Sequence, residues 1–332
     1  MARCARVPLR EAESARRRAM SEGVLDHRFK IGVAGGWALI PISGPLEGLE
    51  EAEADLEPRE RRPTDYREIA SVPEGLRPLL PSSHDVVGDI AVMRVPEPLI
   101  PHRREIGEAL MRASPSLRAV MMDGGVKGEL RIRDLELIAG SGPSETIHRE
   151  HGLRMAVDPS KVYFNPRLAG ERMRVASLVR DGETVIDMFA GAAPFGLVIC
   201  RHARPSMVYS IDLNPDAGAF AERSAEMNRI DNLTVISGDA AEAMGGLPMA
   251  DRIIMNLPQS ADGFLPLALS RLRPGGTAHM HKVLERSALE AYSERLREEM
   301  AALGLGMRVS LATELKTYSP TMSVYVFDVA RE

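Results

Sequence analysis

Three acidic residues close three β-rich apolar runs, and that placement is the first sign of chemistry in the chain. Asp187 ends Val185-Ile186-Asp187, which breaks through Met188-Phe189-Ala190-Gly191-Ala192-Ala193 into the helical Pro194-Phe195. A turn of such small residues lets a ligand approach the backbone at the carboxyl edge of a sheet. Asp212, in Ile211-Asp212-Leu213-Asn214-Pro215, ends the next run 25 residues later and suits both hydroxyls of a ribose. Asp239, in Ser237-Gly238-Asp239-Ala240, ends the third, where it can meet an adenine amino group. Each has an ordinary alternative: a helix N-cap for Asp187 or Asp239, a turn residue for Asp212. The fourth run ends in Asn256-Leu257-Pro258-Gln259. Proline fixes that loop, and the Asn amide offers a donor and an acceptor to a planar nitrogen base; an Asx turn is the plain alternative.

The elements that must position these residues follow from periodicity. Strands are expected at Thr184 to Met188, Met207 to Asp212, Leu233 to Ser237, Arg252 to Met255 and Gly276 to His281, each followed by a turn and an amphipathic stretch. That alternation is the pattern of a doubly wound parallel sheet. Met307 to Glu314 and Ser323 to Ala330 read as a closing hairpin around Tyr318-Ser319-Pro320. A dinucleotide fold would need Gly-x-Gly-x-x-Gly, which is absent. The methyltransferase version, Asp-x-x-x-Gly-x-Gly, is present with Ala193 at the second glycine, a change expected to tighten the loop. The fold class is therefore α/β, a Rossmann-like class I methyltransferase domain preceded by smaller α+β domains. Asp187, Phe189, Gly191, Asp212, Asp239, Asn256 and Pro258 are its candidate residues for S-adenosyl-L-methionine (AdoMet). Pro194 and Phe195 are expected to shape the pocket, with core packing the alternative for Phe195.

Upstream, composition shifts cut the chain into 1–62, 63–158 and the catalytic 159–332. Residues 46–64, rich in Glu, Arg and Pro, read as a charged linker. Val86 to Arg94 looks strand-like, Arg103 to Met111 helical, and Leu130 to Ala139 alternates.

At 332 residues, 44% hydrophobic and 27% charged, the chain has an ordinary globular composition. Only Cys4 and Cys200 occur, which excludes a disulfide framework, and the eight histidines show no metal-ligand spacing. The basic N-terminus has no apolar core after it, and no run is long enough to span a bilayer, so the protein is expected to be cytoplasmic; no metal and a monomeric state are expected as well. A net charge of −5 does not advertise nucleic-acid binding, although 42 basic residues can cluster on one face.

Val162-Tyr163-Phe164-Asn165-Pro166-Arg167-Leu168-Ala169-Gly170-Glu171-Arg172, followed by the Asp187 turn and Asn256-Leu257-Pro258, resembles the archaeal and eukaryotic tRNA (guanine-37 N1)-methyltransferase family. The likeness extends to His84 to Asp89, Arg131-Ile132-Arg133, Ile138-Ala139-Gly140 and Thr146 to Glu150, and is fainter over the first 45 residues. The resemblance implies a small N-terminal domain that reads the tRNA elbow, a middle domain and a Rossmann-like catalytic domain. A relative within the family transfers the aminocarboxypropyl group of AdoMet instead; it typically lacks the Pro-Arg pair and the Asn-Leu-Pro loop, both present here. Some members also methylate the wyosine precursor.

Methylating N1 of guanine requires removal of the N1 proton and tolerance of charge on O6. By resemblance, Glu171 is the general base, Arg131 the cation at O6, and Asn256 orients the base edge. Without it, Glu171 reads as a helix partner of Arg174 or Arg167, and Arg131 as an exposed strand charge. Tyr163, Phe164 and Arg167 are placed to clamp a flipped nucleotide, or else to plug a domain junction. Arg149, with Arg103, Arg104 and Arg154, is a candidate phosphate contact.

Overall fold

The computed structural model describes residues 1–59, 65–128, 130 and 132–332. The boundary read at residue 62 and Arg131 lie outside the described residues. The chain forms two compact units, Met1–Asp65 and Tyr66–Glu332.

In the first unit, β1 (Ala2–Pro8), α1 (Ala12–Ser21), β2 (Gly32–Ala34), β3 (Trp37–Pro41) and β4 (Glu50–Ala54) build a sheet of order β2-β3-β1-β4. Alternation along β1 sends Ala5 and Val7 to a cluster with Ala15 and Ala19 of α1 and Ala38 and Ile40 of β3. The expected charged linker is thus partly an edge strand. Glu50 stands opposite Arg6 and pairs with it, and Arg3 reaches diagonally to Glu51, so these two glutamates are neutralised across the sheet.

The second unit opens with α2 (Tyr66–Ile69), β5 (Asp85–Val87), β6 (Ile90–Met93), α3 (Arg103–Ala113), β7 (Ala119–Lys127) and β8 (Ile132–Gly140), giving a sheet of order β5-β6-β7-β8. The single strand expected over Val86 to Arg94 is a hairpin. Gly88, at φ +59°, takes the turn, and a side chain there would strike Thr146. A second hairpin follows, β9 (Thr146–Glu150) and β10 (Leu153–Val157).

The rest of this unit contains α4 (Ala169–Leu178), β11 (Thr184–Asp187), α5 (Pro194–His202), β12 (Met207–Asp212), α6 (Pro215–Asn228), β13 (Leu233–Ser237), α7 (Ala240–Ala243), β14 (Ala250–Met255), α8 (Leu265–Arg271), β15 (Leu272–Glu285), α9 (Leu289–Ala302), β16 (Met307–Thr317) and β17 (Met322–Arg331). The sheet order is β13-β12-β11-β14-β15-β17-β16, parallel from β13 to β15, with β17 running against both of its neighbours. Both faces are covered: Ile253 and Met255 join one core cluster, and Ile254 joins the other. The architecture is a Rossmann-like α/β domain, as expected from sequence. Its strand order reverses between β11 and β14, so the crevice outside their carboxyl ends is where a ligand is bound.

Candidate active site

A cavity of about 200 Å³ opens at that crevice. It is lined by Tyr163, Phe189, Gly191, Asp212, Asp239, Asn256 and Pro258, and also by Leu130, Met188, Leu213, Ala240, Leu257 and Phe264. The carboxyl ends of four strands, β11, β12, β13 and β14, supply most of this lining because parallel strands bring successive carboxyl ends to one edge. The loop after β14 is fixed from the side: Val283 of β15 donates its N–H to the Pro258 carbonyl at 2.8 Å. Phe264 packs edge-on against Phe189, ring centres 5.0 Å apart. It sits in an unremarkable stretch of sequence, and only the loop's return to the edge reveals it.

Gly191 has φ +54°, and a Cβ there would lie 2.9 Å from the Tyr163 carbonyl oxygen. The loop and the connection before α4 therefore meet backbone to backbone. Ala193 is also left-handed, at φ 55°, but its methyl group is buried with Ala190 and Ala221 and does not face the cavity. The tightening expected from this alanine is absent on the ligand side.

Asp212 accepts the Gly191 N–H on one carboxylate oxygen (2.6 Å) and the Asn214 N–H on the other (2.9 Å). Each oxygen keeps a further lone pair for a diol. Burial pushes its carboxyl up, and those two backbone hydrogen bonds oppose the rise. Asp239 caps α7 through the N–H groups of Ala241 and Glu242 while lining the cavity. Asp187 is fully buried just behind the loop, and neither oxygen has a hydrogen-bond partner of ordinary geometry among the described residues. Burial pushes its carboxyl up to about 8, opposed by the Phe189 backbone N–H and reinforced by Asp212. An orphaned carboxylate, a backbone cradle that admits only glycine and an acid with free lone pairs fit a nucleoside-bearing cation such as AdoMet.

Glu171 does not line the cavity. It is buried on α4, bound at both oxygens by Arg174 and 3.6 Å from His281 Nε2. Burial raises its carboxyl, but the hydrogen bonds from Arg174, with the nearby His281 ring, outweigh this and leave it lowered. Arg174 also binds Asp328, which holds His279 Nδ1 at 2.6 Å; Arg252 reaches the other nitrogen of that ring and pairs with Glu183. Because Arg252 can only donate, His279 is neutral with its proton on Nδ1. Sequence reading did not anticipate this buried polar chain.

Arg167 pairs with Asp85 at 2.6 Å, beside Arg133. Arg149 is exposed on β9 and lines a second, shallower concavity with Arg118 and Arg223. Phe195 is core, packed with Val185 and Val198, and does not line the cavity. Phe164 is likewise buried, under the guanidinium of Arg172. Arg172 itself is buried and forks onto Glu150 of β9, tying that hairpin to α4. Among the described residues no cluster of side chains could hold a metal, and no helix is long and apolar enough to cross a membrane.

Known proteins share this arrangement. Residues 146–308 match the TRM5/TYW2 methyltransferase domain, 66–143 the TYW2 N-terminal domain and 4–50 the tRNA methyltransferase 5 N-terminal domain. The chain is 42% identical over 317 residues to the tRNA (guanine(37)-N(1))-methyltransferase Trm5b of Pyrococcus abyssi, covering 95% of this chain and 94% of the relative. It superposes on the crystal structure of that organism's Trm5b with a TM-score of 0.79 and 40% identity, over 100% of both chains. It superposes on aTrm5 from a complex with tRNALeu at a TM-score of 0.76 and 28% identity, over 99% of both. The chain is an AdoMet-dependent methyltransferase and belongs to the Trm5 family of tRNA (guanine-37 N1)-methyltransferases.

Proposed function

We propose that this protein methylates N1 of guanosine 37 in tRNA. The observation that carries the reading is the single cavity joining Asp212, Asp239 and the Gly191 loop to Asn256, Pro258 and Tyr163. A nucleoside half and a base-binding half thereby share one space. The names of the relatives supply the substrate.

AdoMet supplies an electrophilic methyl group. Asn256 orients the guanine edge, Tyr163 stacks on the flipped base, and Arg167 and Arg149 contact the RNA. Glu171 takes the N1 proton while Arg131 steadies charge on O6. That role asks Glu171 to exchange its Arg174 contacts and to reach the cavity, and Asp328 is in place to keep the guanidinium paired. Residues 1–62 serve recognition of the tRNA, 63–158 link, and 159–332 catalyse.

The test is incubation with AdoMet and unmodified transcripts carrying G37 or A37, with the product nucleoside identified by mass. 1-Methylguanosine from the G37 transcript alone is expected, with Glu171→Gln slowing its formation at least tenfold. The match of residues 66–143 to a TYW2 domain favours a second reading, transfer of an aminocarboxypropyl group or methylation of a wyosine precursor. An aminocarboxypropyl adduct, or AdoMet binding without product on G37, would displace the first.

A further inference from the structure

His281 is fully buried on β15, and neither ring nitrogen has a hydrogen-bond partner among the described residues. Two residues earlier on the same face, His279 has both nitrogens engaged. The register Met255↔Met280 sets His281 level with Asn256 at the carboxyl edge of the sheet. One side of the ring approaches Phe195, at 5.9 Å between centres. Its nearest ionic neighbour is Glu171, whose Oε1 lies 3.6 Å from Nε2, just beyond hydrogen-bond reach. A buried imidazole with two unsatisfied nitrogens is costly, and an apolar side chain would fill the place without that cost. Such a cost is met where the group gains a partner in another state of the site.

We propose that His281 is a positioning residue for Glu171: when Arg174 releases the carboxylate, the His281 Nε2–H takes Oε1 and leaves Oε2 free to accept the N1 proton of guanine. This rests on the reading of Glu171 as the general base. Arg174 is able to let go because Asp328 accepts from both of its terminal nitrogens, at 2.8 and 3.0 Å. Oε1 is also the oxygen that Nη2 of Arg174 holds, so its release brings a second donor to the same atom across a shift of about 1 Å. In the transfer, the N1–H bond breaks and its proton goes to Oε2. N1 bonds to the methyl carbon as the sulfur–methyl bond breaks, and the electron pair stays on sulfur. His281 keeps its own proton throughout.

The experiment measures single-turnover methyl transfer at saturating AdoMet and G37 transcript for wild type, His281→Leu, His281→Gln, Glu171→Gln and the double variant Glu171→Gln/His281→Leu. AdoMet affinity and Tm are followed in parallel. His281→Leu should lose tenfold or more in rate with AdoMet affinity within about twofold and no fall in Tm. His281→Gln, whose amide nitrogen stands near the place of Nε2, should recover most of that loss. In the Glu171→Gln background, His281→Leu should change the rate little further, because both residues act through one proton transfer. A folded His281→Leu at the wild-type rate, or losses that multiply in the double variant, would overturn the proposal. Should His281→Leu not fold, His281→Gln set against His281→Asn decides, and equal rates in the two would also overturn it. A fully active Glu171→Gln would instead sink the assignment of the base.

Discussion

Arg174 holds both carboxylate oxygens of Glu171, Nε on Oε2 at 2.7 Å and Nη2 on Oε1 at 2.8 Å, three residues away on the same helix. Arg174, itself half-buried, also binds the buried Asp328 of β17, so this guanidinium compensates two buried carboxylates at once.

Arg174→Met should therefore cost about 3–5 kcal/mol at neutral pH, read from urea unfolding, because two buried charges lose their cation. For Asp328, burial raises the carboxyl, but hydrogen bonds from His279 and then Arg174 hold it well below the usual carboxylate range. Glu171 is lowered as well. A lowered folded-state value gives stability that is present above the unfolded value and lost as pH falls toward the folded one. The deficit of the variant should accordingly shrink in acid below the ordinary carboxylate range; a deficit that stays constant there would contradict this account.

Asp187 has the opposite sign. With its carboxyl raised from 3.8 to about 8, the ligand-free fold holds a proton that the unfolded chain gives up. Stability should fall as pH rises across that window. Asp187→Asn should remove that slope and be more stable than wild type at pH 8, while binding AdoMet more than tenfold more weakly. Unfolding curves at pH 5 and 8 and a titration calorimetry series check both halves.

Gly191→Ala should cost about 1–2 kcal/mol from its left-handed backbone alone, with AdoMet affinity lost in addition as the new methyl meets the Tyr163 carbonyl. Ala193→Gly, whose methyl lies away from the cavity, should leave AdoMet affinity within about twofold. Equal loss in the two variants would show that the loop, not the Tyr163 contact, limits binding.

Arg172→Leu should destabilise by about 3–5 kcal/mol by stranding Glu150, and adding Glu150→Leu should restore most of that. Burial raises Glu150, but hydrogen bonds from Arg172 and then His148 bring it down to about 2. Its contribution should thus persist to lower pH than that of an ordinary glutamate. A double-mutant cycle in urea with no coupling between the two positions would refute the pairing.

The parallel sheet was legible because buried strands leave short apolar runs between turns. Asp187, Asp212, Asp239 and Asn256 were legible because chemistry at the carboxyl edge needs polar residues where those runs stop. The charged stretch before residue 60 misled, since Glu50 to Ala54 become a strand only against β1, where Glu50 faces Arg6 and Glu53 faces Arg3. The hairpin at Gly88 was hidden in an otherwise continuous apolar run for a similar reason: Thr146, 58 positions away, crowds it.

The sequence by itself determined the alternating strands and helices of the parallel sheet, the small-residue loop and the strand-end acids, because each depends on neighbours within a few residues. Only the tertiary structure decided that Glu171 is clamped by Arg174 and Asp328, that His279 is satisfied and His281 is not, and that Phe264 and Leu130 close the cavity. Those facts depend on partners as many as 154 positions apart, brought together by the sheet order. Hydrogen-bond satisfaction is a property of the packed state, and local periodicity carries no record of it.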